Sequence, residues 1–388
     1  MINEYAQDIR RKLHMHPETG LYLPKTLELV RDELSKIGVD YTEEYGKGCI
    51  VAVVNPEKTN YTIGIRADMD AVPITEENDV PYKSCEDGKM HACGHDAHTA
   101  IALSVLKELN EIKDQISCRV KFFFQSGEEG YAGAKYMVED GAADDVDCIV
   151  ALHVDALCPV GTIKLCAGPQ NANSDAFVLE FFGKTAHVAR QEEGVDANMA
   201  AIRAYTAIEF MLAKEVSYQD VALFNAGEIH GGTAHNNISD YCRLNCTLRT
   251  WESKTENRLI ENIQKISGLT AKMCGAEAKF TLKTHYPVLV NDDVISERLK
   301  NSATKIIGTE NIHDKIRGTG GEDFAFFANL KPACMFRLGV RNKKEGIVFN
   351  SHNPKFDVDE NALDIGIRIF KQFVFDNMNN KSDAHKHG

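Results

Sequence analysis

Met90-His91-Ala92-Cys93-Gly94-His95-Asp96-Ala97-His98 packs a thiol, three imidazoles and a carboxylate into nine residues, directly ahead of a helical pattern over 99–110. Gly94 allows a tight turn between Cys93 and His95. If that turn makes the two side chains converge, a soft sulfur and an imidazole can hold one borderline-soft cation such as Zn²⁺, Mn²⁺ or Co²⁺. Taken alone the stretch is equally a chance cluster, because a free cysteine most often serves as a small buried apolar residue. Its meaning depends on partners elsewhere in the chain.

Upstream, apolar residues at helical spacing predict helices over 2–13 and 25–37, stopped by Pro17 and Gly38 respectively. Short β-branched runs at 49–54 and 61–65 read as strands, the second leading into Arg66-Ala67-Asp68-Met69-Asp70. Carboxylates just past a buried strand lie where open α/β sheets place their sites, although Asp68 or Asp70 taken singly reads better as a turn or capping residue. Downstream, strands over 119–124 and 148–152 alternate with a helix over 131–139. The alternation predicts an α/β fold with a mainly parallel sheet covered by helices.

Two of these strand ends carry further candidates. Phe122-Phe123-Phe124 runs into Gln125-Ser126-Gly127-Glu128-Glu129-Gly130, and the apolar run at 149–152 ends at His153. Neighbouring residues at a strand end can point different ways, so one glutamate could bind metal while the other acts as general base. The alternative is an acidic first turn favoured by the helix dipole. His153 is either a satisfied core histidine or a further donor at the same sheet edge.

From Ser174 the pattern changes. A strand around Phe177, Leu179 and Phe181 precedes a helix over 195–216, strands over 221–228 and 241–251, a helix over 254–274 and a strand over 277–283. That β-α-β-β-α-β order is the ferredoxin-like unit, here inserted at 174–285 into a domain made of 1–173 and 286–388. The α/β style resumes with a helix over 294–307, a strand over 333–340 and a helix over 362–375. The polar, His/Lys-rich tail from Asn377 is expected to be disordered.

Composition bounds the function. The 388 residues are 43% hydrophobic and 26% charged, an ordinary globular mix large enough for two domains. A net charge of −13 argues against nucleic acid as a partner. No apolar run approaches the roughly 20 residues of a membrane span. Eleven cysteines, an odd number without paired spacing, fit reduced thiols, and the N-terminus lacks a basic segment followed by an apolar one. The expectation is a cytoplasmic protein without membrane partners.

Together these motifs resemble the two-metal amidohydrolases and peptidases that include aminoacylases, carboxypeptidase G and succinyl-diaminopimelate desuccinylase. Within that family they are most similar to the branch of hippurate hydrolases, N-acyl-amino-acid deacylases and auxin-conjugate hydrolases. The resemblance rests on Arg11-Lys12-Leu13-His14-Met15-His16-Pro17-Glu18, Arg66 to Ile74, Met90 to His98, Gln125 to Glu129 and Ala151-Leu152-His153-Val154. It continues through Gly183 to His187, Gly231-Gly232-Thr233, Gly321-Glu322-Asp323-Phe324 and His352-Asn353-Pro354, nearly the whole chain in order.

The resemblance implies two divalent ions per subunit (Zn, Mn, Co or Ni) held by Cys93, His95, Glu129, His153 and His352. It also implies Glu128 as general base and Asp70 as a carboxylate orienting a ligand. His187 would hydrogen-bond the scissile carbonyl, with Asn236 nearby. The inserted unit would be a lid and dimerisation domain carrying His187 into the partner's site of a homodimer. The implied reaction is hydrolysis of a small N-acyl amino acid; a dipeptidase or carboxypeptidase of the same mechanism is the alternative. A Cys93-nucleophile amidase and a non-catalytic metal or peptide binder compete with both. An unliganded Cys93 thiolate would make the protein oxidation-sensitive. Two segments depart from the family: Gln125-Ser126-Gly127 stands where it often has Gln-Pro-Ala, and Ala234 to Asp240 differs from the usual Asn-Val-Ile-Pro-Asp.

Overall fold

The computed structural model describes residues 3–217, 220–314 and 317–381. The chain forms two compact units, one from Met1–Gln170, Val290–Ile316 and Asp323–Gly388, the other from Asn171–Leu289 and Arg317–Glu322. Of the sequence expectations, Ile2 at the first helix and residues 382–388 of the tail lie outside the described residues.

The first unit opens with α1 (Glu4–Met15), whose Asn3 cap accepts the Ala6 N–H at 3.0 Å. Next comes α2 (Pro24–Ile37), with proline in its first turn and the left-handed Gly38 at its end. The chain continues through β1 (Tyr41–Thr42), β2 (Ile50–Val54), β3 (Thr62–Asp68), α3 (His95–Glu111), β4 (Arg119–Gln125), α4 (Gly133–Glu139), β5 (Cys148–Pro159) and β6 (Ile163–Lys164). The second unit follows as β7 (Ser174–Phe182), β8 (Ala186–His187), α5 (Ala197–Glu215), β9 (Ala222–Gly231), β10 (Asn237–Ile238), β11 (Tyr241–Thr250), α6 (Ser253–Met273) and β12 (Glu277–Tyr286). The chain then returns to the first unit with α7 (Asp293–Ile307), β13 (Ile312–His313), α8 (Phe324–Leu330), β14 (Ala333–Arg341) and α9 (Asn361–Asn377).

In the first unit one sheet runs β1-β2-β4-β3-β5-β14-β6-β13. Its centre, β4-β3-β5-β14, is parallel, and antiparallel β2 and β6 flank it. Every residue of β3 is buried, as a central strand covered on both faces requires. Parallel pairing brings the carboxyl ends of β3, β4, β5 and β14 to one edge.

Several boundaries differ from the sequence reading, and three of them have a clear physical reason. The third helix begins at His95 rather than at 99, because Gly94 makes the turn at φ 83° and lets the helix start at once. The helix expected over 131–139 begins only at Gly133, after Glu129, Gly130 and Ala132 leave helical geometry. The strand expected to end at Leu152 continues to Pro159, because β14 pairs alongside it well beyond His153.

The second unit is the ferredoxin-like β-α-β-β-α-β arrangement, a four-stranded antiparallel sheet ordered β9-β11-β7-β12. Burial alternates along β7, so Phe177, Leu179 and Phe181 face the core with Ala200, Ala204 and Ile208 of α5 and Leu259 and Ile263 of α6.

At the base of this sheet His285 joins two carboxylates. Its Nδ1 lies 2.7 Å from Asp175 Oδ1 and 3.2 Å from Glu256 Oε1. The hydrogen bonds to Asp175 and Glu256 outweigh the opposing effect of burial and raise its pKa from 6.5 to about 9. A histidine whose folded pKa stands above its unfolded value stabilises fully below the unfolded value and loses that contribution as pH rises through the folded one. Unfolding followed by the fluorescence of Trp251 should therefore show wild type more stable than His285→Gln at pH 6, with the gap closing by pH 10. A gap constant across that window would contradict the bridge.

Candidate metal centre

The helical start at His95 sets the site. Gly94 is needed for its left-handed φ and for space, since a side chain there would collide with Val154 Cγ2 of β5. That close approach brings Cys93 against β5, with Cys93 Sγ 3.4 Å from His153 Nε2. His153 Nδ1–H donates to the Val154 carbonyl oxygen at 2.7 Å, which leaves its Nε2 lone pair facing the sulfur.

After β4, Gly127 adopts φ 68°, a conformation the alanine common in the family would resist. Ser126 Oγ secures this turn by donating to the Lys47 carbonyl at 2.5 Å. Asp70, just beyond β3, accepts the N–H groups of both Glu128 and Glu129 at 3.0 Å. With its backbone so held, Glu128 is buried, while Glu129 lies at φ −74°, ψ 77°, outside the helical region. Glu129 Oε1 is 3.0 Å from His352 Nε2. His352 is itself at φ 64°, and its N–H donates to the Ala92 carbonyl at 2.8 Å, which ties its loop beside Cys93.

Cys93, His95 and His153 each offer a donor atom within 4.8 Å of the others, as do Cys93, Glu129 and His352, and His95, Glu128 and Glu129. These overlapping trios join six sequence candidates into one cluster, with Asp70 behind them. His187 and Asn236 belong to the second unit, where they adjoin. His187 pairs with Asn237 across β8 and β10, and the Val188 N–H donates to the Asn236 carbonyl at 2.9 Å. His187 is exposed and its Nδ1 accepts the Ala189 N–H at 3.1 Å, so its ring proton resides on Nε2.

His95 supplies the test of whether a metal fits. It is fully buried, yet neither ring nitrogen has a hydrogen-bond partner. Asp70 Oδ1 lies 3.5 Å from Nδ1 and Asp68 Oδ2 3.6 Å from Nε2. Buried polar atoms are nearly always satisfied, and an orphaned imidazole among sulfur, nitrogen and carboxylate donors is the chemistry of a divalent-ion site. Burial opposes a positive charge on His95, but Asp68 and then Asp70 outweigh it and raise its pKa well above 6.5. The two carboxylates favour a cation there, whether proton or metal.

The same fields weigh against Cys93 as a nucleophile. Burial, reinforced by Glu129, pushes its thiol up to about 12, while burial and then Arg337 push His153 well below 6.5. A thiolate–imidazolium pair requires the opposite shifts. The same upward shift of the Cys93 thiol, caused by burial and then Glu129, runs against the expectation of an oxidation-prone thiolate.

Asp68 was a candidate from the sequence, but the buried network around it, with Arg66 and His98, was not. Asp68 Oδ2 accepts from Arg66 Nη1 at 2.7 Å and Asp68 Oδ1 from His98 Nδ1 at 2.5 Å, while His98 Nε2 accepts the Val154 N–H at 2.9 Å. Arg66 also donates to Gln125 at 2.8 Å and to Asp323 at 2.6 Å. The signal was present as charges two apart in a wholly buried strand, Arg66 and Asp68, and as His98 three residues after His95 on one helix face.

A model of "Peptidase family M20/M25/M40" matches residues 64–376. The chain is 32% identical to thermostable carboxypeptidase 2 of Saccharolobus solfataricus, over 94% of this chain and 93% of that protein. It is 33% identical to IAA-amino acid hydrolase ILR1-like 4 of Arabidopsis thaliana, over 94% of this chain and 84% of that one. Its fold matches the crystal structure of Bacillus subtilis YXEP, described as a dinuclear metal binding peptidase, with a TM-score of 0.80 at 27% identity, covering 95% of this chain and 96% of that one. A donor cluster of this composition at the sheet edge, within a match that runs from β3 to α9, shows that the chain belongs to peptidase family M20/M25/M40.

Proposed function

We propose that this protein is a metal-dependent amidohydrolase that cleaves the amide bond of a small N-acyl amino acid or related conjugate. The observation that carries this reading is the division of labour between adjacent glutamates. Glu129 shares donor trios with Cys93 and His352 and with His95 and Glu128, and its Oε1 lies 3.0 Å from His352 Nε2, while Glu128 adjoins His95 and Glu129. Cys93, His95, Glu129, His153 and His352 would hold two divalent cations, Zn, Mn, Co or Ni. When bound, such cations supply Lewis acidity that polarises a carbonyl and acidifies water.

The chain's own groups do the rest. The Glu128 carboxylate accepts a proton from the attacking water and delivers it to the departing amide nitrogen. Asp70 holds the backbone of both glutamates and stands beside His95 Nδ1, so proton acceptor and ligands keep their separation. His187 Nε2–H donates to the carbonyl oxygen as negative charge grows there, and Asn236 assists as its neighbour. The second unit acts as lid and dimerisation domain, and His187 serves the site of the partner in a homodimer. A dipeptidase or carboxypeptidase of the same mechanism is the second reading, favoured by the name of the Saccharolobus relative. None of the eleven cysteines forms a disulfide, which supports a reducing cytoplasm. Among the described residues no helix is long and apolar enough to cross a membrane.

Glu128→Gln keeps shape but removes the proton acceptor, so turnover should fall about 10²-fold or more while elemental analysis finds normal metal content. Glu129→Gln should lose metal. The reverse pattern would exchange the two roles. For the partner's histidine, His187→Ala and Glu128→Gln homodimers should each be nearly inactive, and mixing them should restore part of the activity by creating one complete site. No recovery despite proven subunit exchange, or a fully active monomer, would sink the arrangement in trans.

A further inference from the structure

The amino ends of the parallel strands lie at the sheet edge opposite the candidate ligands, and a cavity of about 680 Å³ opens there. That volume is within the roughly 300–1,000 Å³ of small-molecule sites. Tyr61 ahead of β3, Arg119 at the start of β4, Val146 ahead of β5, Pro332 ahead of β14 and the first turns of α7 frame it, all within the first unit. Its lining sets Asp144, Asp145, Asp147 and Asp292 against Arg119, Arg298, Lys331 and Lys381, so the two signs balance.

Much of that charge is used within the wall. Arg119 Nη2 lies 2.9 Å from Asp145 Oδ2, Lys331 Nζ donates to the Asp144 carbonyl at 2.7 Å, and Asp292 caps α7 by accepting the Ile295 N–H at 2.9 Å. Arg298 differs. Its Nη1 donates to Tyr61 Oη at 3.2 Å, and the guanidinium makes no ion pair among the described residues. Tyr61 is buried and donates its own proton to Cys148 Sγ at 3.4 Å, so it holds Arg298 by one corner without neutralising it. The exposed carboxylate of Asp144 likewise has no ion pair among the described residues.

We propose that this cavity binds a free α-amino acid with an apolar side chain, its carboxylate on Arg298 and its ammonium on Asp144. With Nη1 taken by Tyr61, the Nε and Nη2 edge of the guanidinium remains to meet a carboxylate with two parallel N–H donors. A phosphate or other polyanion would meet four carboxylates in the same wall, whereas a zwitterion is complementary to both signs. Exposed Val294 and buried Ile295 give the ligand's side chain an apolar surface. Such binding needs neither the metals nor turnover.

Calorimetric titration of the metal-loaded protein with L-leucine, isocaproate and isoamylamine tests both arms, because each analogue lacks one of leucine's two charges. Leucine should bind saturably and each analogue roughly 10-fold or more weakly, the worth of a charged hydrogen-bonded contact. Arg298→Gln should weaken leucine by a similar factor, and Arg298→Lys by less. Asp144→Asn should weaken leucine but leave isocaproate as it is. If Arg298→Gln does not fold, Asp144→Asn must still weaken leucine. Glu129→Gln, depleted of metal, should bind leucine as wild type does. No saturable binding of leucine, or an affinity that survives Arg298→Gln, overturns the site, and isocaproate binding as tightly as leucine overturns the ammonium arm. Binding lost in Glu129→Gln would put the amino acid at the ligand cluster instead and overturn the assignment to this cavity.

Discussion

The site depends on one buried carboxylate. Asp70 accepts the N–H groups of two successive residues and faces the ring of His95. The segment it holds has little preference of its own for a defined shape, since Gly127, Gly130 and Ala132 all take positive φ within six residues. Left to local propensity, that segment would not keep two adjacent glutamates apart. Charge-assisted bonds from a fixed strand end impose the geometry instead. Asp70 in turn sits where it does because β3 is locked in register between β4 and β5.

Behind that interaction lies a layer of buried ion pairs. Asp96, next to His95, is gripped by Arg10 at 2.9 Å and His14 at 2.7 Å, and Arg10 also reaches Asp357 and Glu360. Arg66 binds Asp68, Gln125 and Asp323 together. Breaking one such buried pair costs about 3–5 kcal/mol, because it strands the partner's charge. The chain thus spends its buried charges on holding the ends of β3, β4 and α3, the elements that present the candidate ligands.

Much of the fold was legible because its signals are periodic. The alternation of β7 and the continuous apolar run of β3 reflect burial on one face or two, and both can be seen residue by residue. Boundaries set by long-range pairing were not legible. His153 looked like a strand end, yet β5 runs past it because β14, nearly 200 residues later in sequence, pairs alongside. At the site, Cys93, His95 and the glutamate pair announced themselves by local density. His352 could be reached only through family resemblance, because its place depends on a positive φ and a backbone bond to Ala92. Asp68 stood out as a carboxylate at a strand end, but its pairing with His98 escaped, because a buried charge and its partner 30 residues apart carry no joint local signature.

The central claim is that Cys93, His95, Glu129, His153 and His352 form one two-ion centre. Anomalous diffraction from crystals grown with Zn²⁺ or Mn²⁺ tests it most directly. Two peaks roughly 3.5–4 Å apart are expected, the spacing of two-metal sites, with His95 bonded to one of them through a nitrogen that now has no hydrogen-bond partner. Peaks confined to other parts of the molecule, or a fully loaded, active enzyme in which His95 binds no metal, would contradict it.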